Sequence, residues 1–241
     1  MDRFKIALAK LACEKVSDGM VVGLGAGTTV GFMVDLLHEH VSKENLDIEF
    51  IAADKVLQKR AKDLGLKTLE LNECNKIDLL FDGADYVNLK TGTVLKGNGG
   101  FVHPEKQLLE LSEYAINLVD YRKLDFESLP KLFLELEPDF IYEFSNEFEY
   151  LNFYIRDQKS QSENLIVEII VDKFEDIAPI SEMLKTTEGI LVVGLFESGY
   201  DEIWVAGEMD LELEAEASEV LELKTDVKLF KYFFKIDHNV R

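Results

Sequence analysis

Apolar positions along the first 120 residues change period again and again. From Phe4 to Val16 they fall at helical spacing, and Gly19 closes that segment. Met20–Leu24 is a short continuous apolar run, which predicts a buried strand. Gly25–Gly27 is a loop, and helical spacing resumes over Thr28–Leu37. The alternation continues with a strand over Ile48–Ala53, a helix over Val56–Leu64 closed by Gly65, and a short strand at Lys67–Leu69. Ile77–Phe81 predicts a further strand, Pro104 opens a helix to Leu111, and Tyr114–Val119 predicts a strand. Strands alternating with helices across short loops predict an α/β fold: an open, mostly parallel, Rossmann-like sheet covered by helices on both faces. In such sheets ligands bind beyond the carboxyl ends of the strands. Gly23–Thr29, Ala52–Asp54, Asp82–Asp85 and Asp120–Lys123 all follow strands, so they are expected along one edge.

Near Pro130 the texture changes. Leu132–Leu136, Asn164–Val171 and Ile190–Phe196 predict strands, Phe174–Lys185 predicts a helix, and Glu143–Tyr154 fits neither pattern cleanly. The expected organisation is a catalytic domain of residues 1–129 plus 201–241 and a smaller α+β domain of residues 130–200 that carries oligomerisation. Asp201–Ala206 reads as a strand returning to the main sheet. In the tail, the alternation MDLELEAEA predicts a strand, while Glu214–Leu223 fits a helix equally well. The aromatic stretch KLFKYFFKID is expected to pack on the core, because a patch of that size is uncommon on a soluble surface.

Charge narrows the function. The 241 residues carry a formal net charge of -21. That balance excludes a phosphate-backbone binder and disfavours an anionic membrane surface. Residues 1–129 hold 21 acidic and 16 basic groups, against 15 and 5 over residues 130–200, so the glycine-bearing half repels a small anion least. No apolar run reaches the length of a membrane span, and the amphipathic N-terminal segment lacks the layout of a signal peptide, so the expected compartment is the cytoplasm. Cys13 and Cys74 have no metal-ligand spacing and read as small buried hydrophobes. No metal is expected.

Three segments carry candidate chemistry. Gly23-Leu24-Gly25-Ala26-Gly27-Thr28-Thr29 joins a strand to a helix, and its backbone N–H groups and helix start suit a phosphate or carboxylate. A dinucleotide fingerprint would need a third glycine where Thr28 stands, and Asp54 follows too late to be its ribose-binding acid. Asp82-Gly83-Ala84-Asp85 ends a strand. An Asx turn accounts for one aspartate but leaves out the later charges. Lys96 opens the cluster Gly97-Asn98-Gly99-Gly100, and Glu105 follows at a helix start, where the helix dipole alone already favours a carboxylate. Together, a base, a cation and two oriented acids fit proton abstraction next to a carbonyl.

These segments, in this order, resemble the ribose-5-phosphate isomerase A family. The resemblance rests on Gly23–Thr29, Asp82–Tyr86, Lys96–Gly100, Glu105-Lys106, Asp120–Lys123 and Leu191–Phe196, and covers roughly residues 4–125 and 180–207. It implies interconversion of ribose 5-phosphate and ribulose 5-phosphate through an enediolate, without a cofactor, by a homodimer or homotetramer. It also implies that Glu105 is the catalytic base, that Lys96 acts beside it, and that Asp82 and Asp85 orient the substrate. Gly25, Gly27, Thr28 and Thr29 would hold the phosphate, Gly97, Gly99 and Gly100 would assist Lys96, and Lys123 would reach the pocket. The chain departs from the family pattern at Ala26, at Ala52-Ala53-Asp54, at Tyr86 and at Asn98. Those departures keep open a second reading, a sugar-phosphate-binding sensor of the same fold.

Overall fold

The computed structural model describes residues 2–124, 130–197, 199–213, 215–223 and 226–236. The chain begins α1 (Asp2–Cys13), β1 (Val21–Leu24), α2 (Thr28–Glu44), β2 (Glu49–Ala52), α3 (Lys55–Asp63), β3 (Lys67–Thr68) and β4 (Leu79–Asp82). The hairpin β5 (Tyr86–Asn88) and β6 (Thr93–Leu95) follows, then α4 (Val102–Leu111) and β7 (Ala115–Asp120). Next come β8 (Lys131–Leu136), α5 (Ile141–Glu147), β9 (Asn152–Lys159), β10 (Leu165–Ile170), α6 (Ile177–Lys185), β11 (Ile190–Val193) and β12 (Leu195–Phe196). The chain closes with β13 (Glu202–Gly207), β14 (Glu219–Leu223) and β15 (Val227–Phe233).

Among the described residues, eight strands form the central sheet in the order β14-β15-β13-β7-β4-β1-β2-β3. The six from β13 to β3 run parallel, and β14 and β15 pair antiparallel at one end. β4, β7 and β13 are buried along their whole length, which is why they read as continuous apolar runs. From β1 the chain builds outward through β2 to β3, then returns to place β4 on the other side of β1. This reversal opens a crevice at the carboxyl ends of β1 and β4. α1 turns Phe4, Leu8 and Ala12 into the core at four-residue spacing. α2 runs a further seven residues past the predicted Leu37, because its last turns are mostly polar and half-exposed and lose the apolar spacing without losing the helix.

A four-stranded antiparallel sheet, β11-β8-β10-β9, packs Leu132, Leu134, Val167 and Ile169 against Phe144, Phe148 and Leu184. The ambiguous stretch 143–154 resolves into the end of α5 and the start of β9. The expected boundary at residue 129 lies outside the described residues.

Three expectations are corrected. Ile190–Phe196 is two strands in two sheets, broken at Gly194. There the backbone crosses so closely that a Cβ would sit 1.9 Å from the Lys96 carbonyl oxygen, so only glycine fits. Met209–Ala217 is not a strand among the described residues, although its alternation is real: Leu211, Leu213, Ala215 and Ala217 pack on the core from an unpaired backbone. Lys228 Nζ donates to the Leu211 carbonyl at 3.1 Å and the Tyr232 hydroxyl to the Ala215 carbonyl at 3.1 Å, replacing ladder partners. The helical option for 214–223 gives way to a strand, Glu219–Leu223, paired with β15. In β15, Leu229, Phe230 and Tyr232 are buried, so the aromatic tail does join the core.

Candidate active site

The crevice holds a cavity of about 230 Å³. Its walls are the turns predicted to follow strands. Ala26, Gly27, Thr28 and Thr29 follow β1 into α2, Gly83 to Asp85 follow β4, Asp120 ends β7 and Lys123 follows it. Lys96, Gly97, Asn98 and Gly99 come from the loop after β6, and Glu105 from the first turn of α4.

A buried charge cluster sits at the base of the cavity. Lys96 Nζ lies 2.7 Å from Glu105 Oε1 and forms an ion pair with Asp82 Oδ2. Lys96 and Glu105 are each 4% exposed and Asp82 is wholly buried. The Ala26 N–H donates to Glu105 Oε1 at 3.2 Å. Asp82 accepts the Tyr200 hydroxyl at 2.8 Å and the Gly83 N–H at 2.8 Å. Asp82 can lie this close to β1 because residue 25 is glycine: a Cβ there would stand 1.8 Å from Asp82 Oδ1. Asp85 accepts the Asn98 N–H at 2.9 Å, which fastens the glycine loop to the loop after β4.

Electrostatics make Glu105 a usable base. Burial, followed by the charges of Asp82 and Asp85, pushes its carboxyl up to about 8, although Lys96 pulls the other way. Burial alone would lower the Lys96 ammonium, but Asp82 and Glu105 together outweigh burial and hold it above its ordinary value. Tyr200, buried against Asp82, is raised well above the ordinary phenol range, so it stays a donor. A base titrating near 8 is ionised in only roughly a tenth of molecules at pH 7. Activity that needs the carboxylate therefore rises as pH climbs from about 6 to 8. A kcat/KM profile inflecting near 8 is the expected result, and one inflecting in the ordinary carboxylate range would contradict it.

The residues singled out by sequence fall into two groups. Gly27, Thr28, Thr29, Asp85, Lys96, Gly97, Gly99, Glu105 and Lys123 line the cavity. Asp82, Gly25 and Gly100 do not: Asp82 stands behind Lys96, Gly25 makes room for it, and Gly100 accepts the Gln161 N–H at 3.3 Å. Two of the departures from the family pattern also lie off the cavity. Asp54 caps α3 through the Val56 N–H at 2.7 Å, and Gln161 Nε2 donates to the Ala53 carbonyl at 2.9 Å. Tyr86 packs at 5.4 Å on the ring of Phe174, in the core of the antiparallel sheet. Sequence reasoning missed Lys5 and Phe101, which line the cavity, and Tyr200 behind it. Lys5 bonds Thr28 Oγ1, and in an amphipathic helix nothing distinguishes it from a surface lysine. Among the described residues there is no group of three or more His, Cys, Asp or Glu able to hold a metal, and no helix long and apolar enough to cross a membrane.

An open parallel sheet with a buried Lys–Glu–Asp cluster at its switch point defines the class. A family model described as ribose 5-phosphate isomerase A (phosphoriboisomerase A) matches residues 49–210. Ribose-5-phosphate isomerase A of Thermoplasma volcanium is 31% identical over 203 residues, covering 80% of this chain and 83% of that protein. The bifunctional ribokinase/ribose-5-phosphate isomerase A of Fructilactobacillus sanfranciscensis is 30% identical over 86% of this chain, which spans 40% of that longer protein. The structure of ribose 5-phosphate isomerase A from Methanocaldococcus jannaschii superposes with a TM-score of 0.78 at 24% identity, covering 95% of this chain and 98% of that one. The chain belongs to the ribose 5-phosphate isomerase A family.

Proposed function

We propose that this protein interconverts D-ribose 5-phosphate and D-ribulose 5-phosphate, the aldose–ketose isomerisation of the non-oxidative pentose phosphate pathway. The observation that carries this reading is the Glu105–Lys96 pair, 2.7 Å apart and buried at the base of a cavity whose rim is a helix N-terminus. The phosphate sits against Gly27, Thr28 and Thr29, where the first N–H groups of α2 point outward and Lys5 adds a positive charge. With the open-chain aldose so anchored, C1 and C2 lie over Glu105. The carboxylate takes the C2 proton, the C2–H electrons form the C1–C2 double bond, and the carbonyl oxygen becomes an enediolate oxygen. Lys96 holds that negative charge, helped by Gly97 and Gly99, whose N–H groups make no hydrogen bond among the described residues. Glu105 returns the proton to C1 while the hydroxyl proton moves from O2 to O1, and the ketose results. Asp82 fixes Lys96 from behind, Asp85 positions a sugar hydroxyl, and Lys123 meets the substrate from the β7 side. The reaction moves protons only and needs no redox cofactor.

The division expected from sequence follows the same reading: residues 130–200 form a smaller unit that joins copies into a homodimer or homotetramer. The exposure of Tyr142, Tyr150 and Tyr154 supports that role. We place the enzyme in the cytoplasm.

Ketose formation from ribose 5-phosphate tests the activity, and Lys5 tests the phosphate seat. Lys5→Met is expected to raise KM about tenfold, with a smaller change in kcat, because its contact is the same in ground and transition states. A normal KM would move the phosphate elsewhere.

A further inference from the structure

A second cavity of about 350 Å³ lies between α4, the end of α6 and β11, and shares no lining residue with the catalytic one. His103 and Lys106 reach it from α4, Lys185 from α6, and Leu191 from β11. Lys106 is the unexplained group. Among the described residues no carboxylate comes within 4 Å of its ammonium, in a chain with 47 acidic against 26 basic side chains. Glu110 lines the same cavity, and Lys185 is paired with Glu182 at 2.6 Å and stands 4.0 Å from Glu197, yet among the described residues none of these carboxylates closes on Lys106. Its ammonium lies over the ring of Phe196, 5.1 Å from the centroid. Burial, followed by the neighbouring charge of Lys185, pushes the ammonium down to about 8, and the charges of Glu110 and Glu197 only partly offset this. The same Phe196 ring stands 5.6 Å from Lys96 Nζ, so both ammonium groups lie against one aromatic side chain.

We infer that this second cavity is an anion site, taking inorganic phosphate or the phosphate of a small phosphomonoester between Lys106, Lys185 and His103. The Lys106 ammonium, the imidazole and the N–H donors of Lys185 that Glu182 leaves over serve a group with several oxygens, and a bound anion gives Lys106 the close partner that the described residues withhold.

The test uses the full chain. Crystals soaked in inorganic phosphate, and separately in glycerol 3-phosphate, are expected to show a phosphorus peak within hydrogen-bond reach of Lys106 and Lys185, besides any in the catalytic pocket. The two arms distinguish free phosphate from a phosphomonoester. In solution, calorimetry with inorganic phosphate is expected to count two anions per chain. Lys185→Gln, a half-exposed position outside the catalytic pocket, should weaken one of the two about tenfold, and Lys106→Met should do the same. Density confined to the catalytic pocket would overturn the inference. So would density in the second cavity with unchanged affinity in both variants, which would mark an adventitious ion only.

Discussion

Glu105→Gln is expected to lower kcat by about 10²–10⁴-fold, the range lost with a positioned general base. The amide keeps the size of the carboxyl and can still accept the Ala26 N–H, so the pocket retains its shape. KM for ribose 5-phosphate should stay within a few-fold of normal, because the phosphate seat at Thr28 and Lys5 is untouched. The fold should not suffer. A carboxyl whose folded pKa lies near 8, above its unfolded value, binds a proton more tightly folded than unfolded. Ionising it therefore costs stability as pH rises from the ordinary carboxylate range towards 8, and a neutral amide removes that cost. Thermal unfolding at pH 7 to 8 should show a melting temperature equal to or above that of the unaltered protein. Lost turnover with preserved folding separates a catalytic role from a structural one. Normal turnover would remove Glu105 from the mechanism.

Lys96→Met has the opposite stability signature. Methionine fills much the same space but leaves Asp82 and Glu105 buried together without their cation. Breaking a buried ion pair from one side costs about 3–5 kcal/mol. Here part of that cost is avoidable, since Glu105 can take up a proton, while Asp82 keeps the Tyr200 hydroxyl and the Gly83 N–H. A loss near the lower end, about 3 kcal/mol, is expected from denaturant unfolding at pH 7. kcat should fall by at least about 10²-fold, since the charge opposite the enediolate is gone. Without Lys96 to pull it down, the Glu105 carboxyl rises further, so residual activity shifts to higher pH. A variant of unchanged stability and kcat would contradict the placement of Lys96 at the centre of the cluster.

Much of this was legible in the chain because local physics and tertiary structure agree there. β4 and β7 are buried on both faces, so their apolar runs could only be strands. The turns after them carry the charged residues, and parallel topology brings those turns to one edge. Legibility failed where local pattern and long-range pairing part. The alternation at Met209–Ala217 is that of a strand, yet its hydrogen-bond partners are the side chains of Lys228 and Tyr232. The hairpin at Tyr86–Leu95 has three-residue strands, too short for a period to show. Ile190–Phe196 looks continuous because only Gly194 marks where it changes sheets.

The site shows the same division. Lys96 and Glu105 stood out by their setting among glycines and at a helix start, and the fold brings their charges to 2.7 Å. Lys5 and Tyr200 could not be read, since each reaches the site from a distant segment whose local pattern is that of a surface helix or a loop. The altered positions at Ala53 and Tyr86 suggested a changed pocket, but both are buried in core packing and line no part of the cavity.

The central claim is that Glu105 carries a proton between two adjacent carbons of a pentose 5-phosphate. The most direct measurement is NMR of the sugar phosphate during turnover in D₂O, comparing the unaltered protein with the Glu105→Gln variant. The predicted result is solvent deuterium at C1 of the ribulose 5-phosphate formed by the unaltered protein, and none above background with the variant. Equal turnover and equal exchange by both proteins would contradict the account.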